Sequence, residues 1–313
     1  MFGIYAIEKA LAFASLKIIS RSPSTFNDKI RFKAAFDRRP ILKTFADKFG
    51  LRKYVREILG ESYLPILYAW GTDLRRVPFE KLPDDFVFKV NHGSGGVVIV
   101  RKDSKSQQVI PQDLSGVSWT SFEITPDKLI HEHLITLGEH WMAMDYYHYK
   151  GCNRIPEWAY KGMPREYLIE EVLFENSSSL ATDYKFHMFN GKCEFINTIR
   201  RNVFNPNTGE IETTSDIFSS AWEPMNFELN GLKSSGSLLP RPKKLEEMIG
   251  VSEKLTGGID YLRVDLYSPG NNRVIVGELT NYPMAGKMNF QPAYLNTAFG
   301  QKLKLDTDQY RYF

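Results

Sequence analysis

The chain has 313 residues, 42% of them hydrophobic and 25% charged, with a net charge of +3. That is long enough for two subdomains or one large α/β unit and ordinary for a globular protein. A charge so near neutral, with no basic patch interleaved with aromatics, gives no footing for a nucleic-acid partner, and Cys152 and Cys193 lack metal-site spacing, so reduced thiols in a cytoplasm are expected.

In the N-terminal stretch FGIYAIEKALAFASLKIIS, apolar residues recur at helical spacing (Ile4, Ile7, Leu11, Ala14, Ile18). This predicts a helix packed on its own domain. Glu8, Lys9 and Lys17 make it too charged to cross a bilayer, and no cleavage site follows, so peripheral attachment at the inner face of the membrane is the alternative. Residues 23–60 read as mostly helical, with Ser24 or Thr25 as a cap and Pro40 at or near a helix start. The last of these helices ends near Gly60 and carries Lys48, Arg52, Lys53 and Arg56, which composition alone reads as a solvated basic face. A short strand is expected over 64–70.

Two apolar runs, 86–90 and 97–100, flank Asn91-His92-Gly93-Ser94-Gly95-Gly96. Glycines at this density let backbone N–H groups approach an anion such as a phosphate, and Lys89, at the end of the first run, can reach the same anion. An unliganded hairpin loop is the plainer reading. The pattern is neither a Walker motif nor a dinucleotide fingerprint, because no Gly-Lys-Ser/Thr follows and no helix opens from the loop. A helix is predicted over 126–138. His131 and His133 lack the spacing of a zinc pair and are read as structural or surface residues, and Trp158 and Tyr160 as core.

The run EYLIEEVL (166–173) reads as a buried strand emptying into a cleft at Glu170-Glu171. Next, DYKFHMFNGKCEFINTIRRN is a hairpin turning on Asn190-Gly191. That turn predicts Asp183 opposite Thr198 and Lys185 opposite Ile196, with Asp183, Lys185, Thr198 and Arg200 on one face and Arg201 on the other. Residues 203–240 read as loops and short strands, and 240–256 as a helix closed by Gly257-Gly258. No chemistry is read in the tail after 290.

The stretch YLRVDLYSPGNNRVIVGELTNYP (261–283) reads as a second hairpin. If Asn271-Asn272 forms its turn, Asp265 lies opposite Glu278 and Arg263 opposite Thr280, all on one face. Opposed carboxylates repel unless a cation intervenes, and their hard oxygens suit Mg²⁺. A strand face whose Arg and acids pair with each other is the competing reading.

In this order the pieces DKFGLRKYV, LPDDFVFKVNHGSGG, EWAYKGMPREYLIEEVL, DYKFHMFNGK, PKKLEEMI, LRVDLY and GELTNYP resemble ATP-grasp enzymes, and most closely the TupA-like branch associated with teichuronopeptide and capsule biosynthesis. The resemblance spans about residues 45–290. It implies an α+β, ATP-grasp fold in which two β-rich subdomains hold ATP between them, after a short helical N-terminal region (1–45, 46–168 and 169–313). It further implies that Lys53 and Lys89 contact phosphates, the loop of His92, Gly93, Ser94, Gly95 and Gly96 closes over them, Glu170 meets the adenine amino group, the backbone of Glu171 and Leu173 forms the hinge, and Asp183 takes the ribose. Asp265 and Glu278 would hold Mg²⁺. Thr280 is the third metal position, standing where many ATP-grasp enzymes have Asn, so that Asn281 or water would complete the sphere; the segment after the proline, Met284-Ala285-Gly286, also departs from the glycine-rich pattern. Arg263 would stabilise an acyl-phosphate transition state, and Lys185 and Arg200 would orient the acceptor carboxylate. The implied activity is ATP-dependent carboxylate–amine ligation, joining an amine or amino acid to a uronic-acid-type carboxylate of a cell-surface polysaccharide; a sugar kinase or an inactive ATP-binding scaffold is the alternative. The oligomeric state is not legible.

Overall fold

The computed structural model describes residues 22–310 apart from 149–155, 178, 205–210, 235 and 237. The predicted N-terminal helix over residues 4–18, and Cys152, lie outside the described residues. Helix α1 (Phe26–Phe36) opens with a capping box, the Asp28 N–H donating to Thr25 Oγ1 at 3.1 Å while the Asp28 carboxylate accepts from the Thr25 N–H. Helix α2 (Ile41–Ala46) follows Pro40, and α3 (Lys48–Ile58) is capped by Asp47, whose Oδ1 accepts from the Phe49 N–H at 3.0 Å.

Strands β1 (Leu67–Gly71), β2 (Phe86–Val90), β3 (Val97–Val100), β4 (Ser121–Ile124) and β5 (Tyr167–Glu170) form one sheet in the order β1-β5-β2-β3-β4, with only β3 and β4 parallel. Helix α4 (His131–Ala143) packs Leu134, Leu137 and Trp141 against Phe88, Val98, Val100 and Ile169 of this sheet. The predicted 126–138 helix is a 3₁₀ turn at Pro126–Lys128 followed by α4, which starts and ends later than expected. His131 stacks on Phe79 with ring centroids 4.3 Å apart, a surface contact as expected.

A second five-stranded sheet is wholly antiparallel. Its strands are β6 (Asp183–Phe189), β7 (Lys192–Phe204) and β8 (Ile211–Phe218), then, after short β9 (Glu228–Leu229) and helix α5 (Leu245–Thr256), β10 (Tyr261–Tyr267) and β11 (Ile275–Thr280), in the order β11-β10-β6-β7-β8. Short β12 (Phe290–Gln291) pairs with β9, and α6 (Leu295–Lys302) follows. Gly257 ends α5 at φ 53°, the left-handed cap its sequence called for. The strand β8, expected to be short or irregular chain, is a full partner of β7. The larger core joins Phe186, Met188, Leu262, Val264 and Leu266 to α5 and to α1–α3. Helix α3 bridges both sheets: Leu51 and Val55 enter the larger core, and the Lys48 N–H donates to the Asn91 carbonyl at 3.4 Å on the glycine loop.

Candidate active site

The two hairpins set the charged face of the larger sheet. In β10–β11, Arg263 pairs with Thr280 and Asp265 with Glu278, as the sequence predicted, but the register reaches that point by another route. No two-residue turn forms at Asn271-Asn272; Tyr267 pairs with Ile275 and Leu266 with Val276, and a bulge at Gly277 then restores the expected pairing. A Cβ at Gly277 would lie 2.4 Å from the Tyr267 ring, so only glycine lets the strand kink there.

In β6–β7 the turn at Asn190-Gly191 forms as predicted, with Phe189 opposite Lys192 and Met188 opposite Cys193. A bulge at Glu194 then shifts every later pair by one. Asp183 lies opposite Ile199 and Lys185 opposite Asn197, not Thr198 and Ile196. This corrects the expected face: by alternation, Arg201 shares the side of Asp183 and Lys185, whereas Thr198 and Arg200 lie on the other. Arg201 Nη2 stands 3.9 Å from Asp183 Oδ2, and Arg200 Nη2 is committed to Asp216 Oδ2 at 3.0 Å.

Across this face, Asp265 is held by two cations. Arg263 donates from Nε to Oδ1 at 2.6 Å and from Nη2 to Oδ2 at 2.7 Å, and Lys185 Nζ reaches Oδ2 at 2.6 Å. Burial would raise the Asp265 carboxyl, but the neighbouring Arg263 and Lys185 outweigh it and hold it at about 2. Lys185 also bridges to Asp183 Oδ2 at 2.7 Å. Asp183 is pushed the other way: burial, and the charge of Asp265, raise it above the usual carboxylate range against Lys185 and Arg201. Its Oδ1 is buried without a partner among the described residues. Glu278 accepts from the Thr280 hydroxyl at 3.0 Å. Among the described residues no group of three or more His, Cys, Asp or Glu side chains is arranged to hold a metal. The donor set at Asp265 and Glu278 nevertheless fits Mg²⁺, which takes hard oxygens, commonly one or two carboxylates, and completes its shell with water and phosphate.

Facing this sheet is a cleft lined by Lys48, Arg52, Lys89 and Glu170, with Val276 and Gly277 from β11. Glu170 accepts from Lys89 Nζ at 2.7 Å and from Arg52 Nη1 at 2.6 Å. Burial would raise its carboxyl, and Lys89 and Arg52 bring it below the usual range. The Lys48 ammonium donates to the Gly93 carbonyl, and burial lowers its pKa despite the attraction of Glu278. Lys53, one residue beyond Arg52, lies exposed with Nζ 5.0 Å from the Phe49 ring centroid, apart from the cluster. Arg52 is 3% exposed, which corrects the reading of this helix as a solvated basic face. The signal that separates Lys48 and Arg52 from Lys53 is periodicity: 48 and 52 share the inward side with Leu51 and Val55, and 53 does not. The Glu171 N–H donates to the Ile66 carbonyl at 2.9 Å and the Leu173 carbonyl accepts from the Ala181 N–H at 2.8 Å, so both hinge positions are tied to neighbouring chain.

The glycine loop follows β2 directly. Asn91 anchors it, donating to Asp47 Oδ1 at 3.0 Å and accepting from the Glu166 N–H at 2.8 Å. His92 Nε2 meets the Met144 carbonyl at 3.1 Å, and burial lowers its pKa. Ser94 and Gly95 are exposed at the tip. Gly93 lies beneath Trp119, where a Cβ would come within 2.4 Å of the indole, a close approach nothing in the local sequence announces.

A family model described as TupA-like ATPgrasp matches residues 28–304. Among solved structures, the chain is similar to D-alanine–D-alanine ligase from Bacillus anthracis, with 18% identity and a TM-score of 0.45 over 84% of this chain and 66% of that one. It is also similar to the ATP-grasp ligase PsnB complexed with minimal precursor (10%, TM-score 0.39, 78% and 54%) and to N5-carboxyaminoimidazole ribonucleotide synthetase from Thermotoga maritima (12%, 0.34, 77% and 43%). The chain therefore spans two thirds or less of the length of these proteins. No curated protein matches significantly.

Proposed function

The chain belongs to the TupA-like ATP-grasp family, and on that premise we propose that it is an ATP-dependent carboxylate–amine ligase working through an acyl phosphate. One observation carries this reading. Asp265 and Glu278, opposed on β10–β11, stand on the sheet whose bulge at Gly277 lines the same cleft as Lys48 and Lys89. The attraction between Glu278 and Lys48 supports acids for a divalent ion beside cations for phosphates.

In this reading Lys89 and Lys48 contact the phosphates, with Lys48 taking the part that the resemblance gave Lys53, and the 92–96 loop covers them. Asp265 and Glu278, beside the Thr280 hydroxyl, would hold Mg²⁺, which would supply charge neutralisation at the phosphates. Asp183 takes the ribose. A carboxylate oxygen of the acceptor attacks the γ-phosphorus as the bond to the β–γ bridging oxygen breaks and ADP departs. The amine nitrogen then attacks the acyl carbon, phosphate leaves with the carbonyl carbon's C–O electron pair, and the amine's proton is lost to solvent. Arg263, fixed by its two bonds to Asp265, stabilises the charge that develops; Lys185 and Arg201, on the same face, orient the acceptor carboxylate. No protein nucleophile is needed, because positioning and fixed charge lower the barrier. The resemblance to the capsule and teichuronopeptide branch supports a uronic-acid-type acceptor and an amino acid or amine donor. Among the described residues no helix is long and apolar enough to cross a membrane.

The test is ADP release with uronic acids against a panel of amines, with hydroxylamine added to trap the acyl phosphate. Hydroxamate formed in step with ADP is the expected result. ADP released without hydroxamate, or without any amine requirement, would favour a kinase; a rise in melting temperature with Mg·ATP but no ADP release under any condition would point to an inactive ATP-binding scaffold.

A further inference from the structure

The chain that leaves β11 carries a buried hydroxyl with no part in the steps above. Tyr282 lies just past Thr280 and is 3% exposed, and its Oη is buried with no hydrogen-bond partner among the described residues. The charges that bear on this hydroxyl are those of Asp37, Arg38, Glu157 and Arg39, where α1 gives way to α2. Asp37 is already committed, accepting from Lys33 Nζ at 2.7 Å and from Arg39 Nη2 at 2.5 Å. Arg38 is not. It is half-buried, and its guanidinium donates to the carbonyls of Ala34 (3.4 Å), Asp37 (3.1 Å) and Ala35 (2.5 Å) but to no carboxylate among the described residues, which leaves part of its donor set unused. Lys43 on α2 is a second cation of this kind: Nζ donates to the Lys161 carbonyl at 2.7 Å and pairs with no acid among the described residues. Both stand over the Trp158 ring, Arg38 at 5.4 Å and Lys43 at 5.0 Å from its centroid. Capping the end of α1 accounts for the carbonyl bonds of Arg38, but it gives the Tyr282 hydroxyl no acceptor, and a buried donor left over beside unpaired cations calls for an anion.

We propose that Arg38 and Tyr282, with Lys43 adding charge across the Trp158 ring, bind the carboxylate of the amine donor, so that the donor is an amino acid and not a simple amine. The inference rests on the ligase reading above and deepens it by naming the donor class. Two observations favour the donor over a neighbouring uronate of the acceptor. These residues belong to α1, α2 and the chain after β11, whereas Lys185 and Arg201, which orient the acceptor, belong to β6 and β7. Glu157, 7% exposed, also sets a negative charge beside Tyr282, which suits a zwitterion and opposes a polyanion. An amino acid anchored by its carboxylate has its nitrogen held at a fixed reach from the anchor, so its attack on the acyl carbon becomes a positioned step.

The experiment measures ADP release at saturating Mg·ATP, with the uronic acid turned over fastest as acceptor. The amino acid used best in a screen of the common ones is compared with the amine it becomes without its α-carboxylate: alanine with ethylamine, serine with ethanolamine, lysine with cadaverine. Wild type should favour the amino acid at least about 100-fold in kcat/KM, in line with sites that pair a polar group of the correct ligand. Tyr282→Phe should fold with undiminished stability, because no partner of the hydroxyl is stranded, and should raise the KM of the amino acid at least about tenfold, the worth of a hydrogen bond to a charged group. The KM of the amine, which has no carboxylate to lose, should stay within about twofold. Arg38→Gln should raise the amino-acid KM further, and Tyr282→Phe carries the test if loss of the α1 cap prevents Arg38→Gln from folding. An unchanged amino-acid KM in folded Tyr282→Phe would overturn the proposal, as would a rise in the KM of a di-uronate acceptor in place of the donor. Equal use of amino acid and amine by wild type would overturn it while leaving the ligase reading intact. ADP release that needs neither would remove that reading and the proposal together.

Discussion

The two hairpins of the larger sheet make a controlled comparison. In β6–β7 the turn is the one its Asn-Gly sequence dictates, yet the charged residues end up one position away from where that turn would put them, because Glu194 is an extra residue in the ladder. In β10–β11 the turn is not the simple one, yet Asp265 and Glu278 meet as expected, because the bulge at Gly277 cancels the difference. Local turn chemistry therefore fixes register only as far as the first bulge. Which charges share a face is decided by bulges, and these answer to packing: at Gly277, to the ring of Tyr267.

The sharpest way to break the comparison is to remove a bulge. Gly277→Val forces a side chain into the Tyr267 ring and should displace Glu278 from Asp265, cutting Mg·ATP-dependent turnover on the order of 100-fold and costing about 1–3 kcal/mol of stability from overpacking; steady-state kinetics and chemical denaturation measure the two. A one-residue choice of the same kind arises on α3. Lys48→Ala should raise the KM for Mg·ATP about tenfold, the loss of a charge-assisted phosphate contact, while Lys53→Ala should change it less than about twofold, as befits an exposed side chain. In the shifted hairpin, Arg201→Ala should raise the acceptor KM at least about tenfold, roughly the worth of one hydrogen bond to a charged group, with the fold intact. Arg200→Ala should act mainly on stability, at about 3 kcal/mol, because it strands the buried Asp216 carboxylate. Equal effects of the two on the acceptor KM would place the register elsewhere.

The remaining effect is in pH. Asp265 is depressed in the folded chain to about 2, below its unfolded value of about 3.9. Its contribution to stability is therefore present above about pH 4 and lost as pH falls toward about 2. Asp265→Asn should flatten the acid limb of the stability curve in that window, followed by circular dichroism.

Much of the fold was legible because it obeys local rules. The runs at 86–90, 97–100 and 261–267 are strands with the bounds read from their apolar pattern, and the helix closed by Gly257 ends where glycine allows it. The tail helix Leu295–Lys302 was not, since its eight residues show no strong apolar stripe before they meet α1. At the site, the acid pair, Lys89 and the glycine loop were visible as residue types in order. Lys48, Arg52 and Trp119 were not, because their roles depend on partners 45, 118 and 26 positions away, at Gly93, Glu170 and Gly93 respectively. Arg201 was hidden by a single inserted residue in a ladder, which no propensity records.

That Asp265 and Glu278 hold the ion bound with the nucleotide is tested most directly by titrating ADP, with and without Mg²⁺, into wild type and Asp265→Asn/Glu278→Gln. In wild type Mg²⁺ should tighten ADP binding at least about tenfold, and in the folded double variant that gain should vanish while metal-free ADP binding persists. An undiminished Mg²⁺ effect in the variant would contradict the assignment of these two carboxylates.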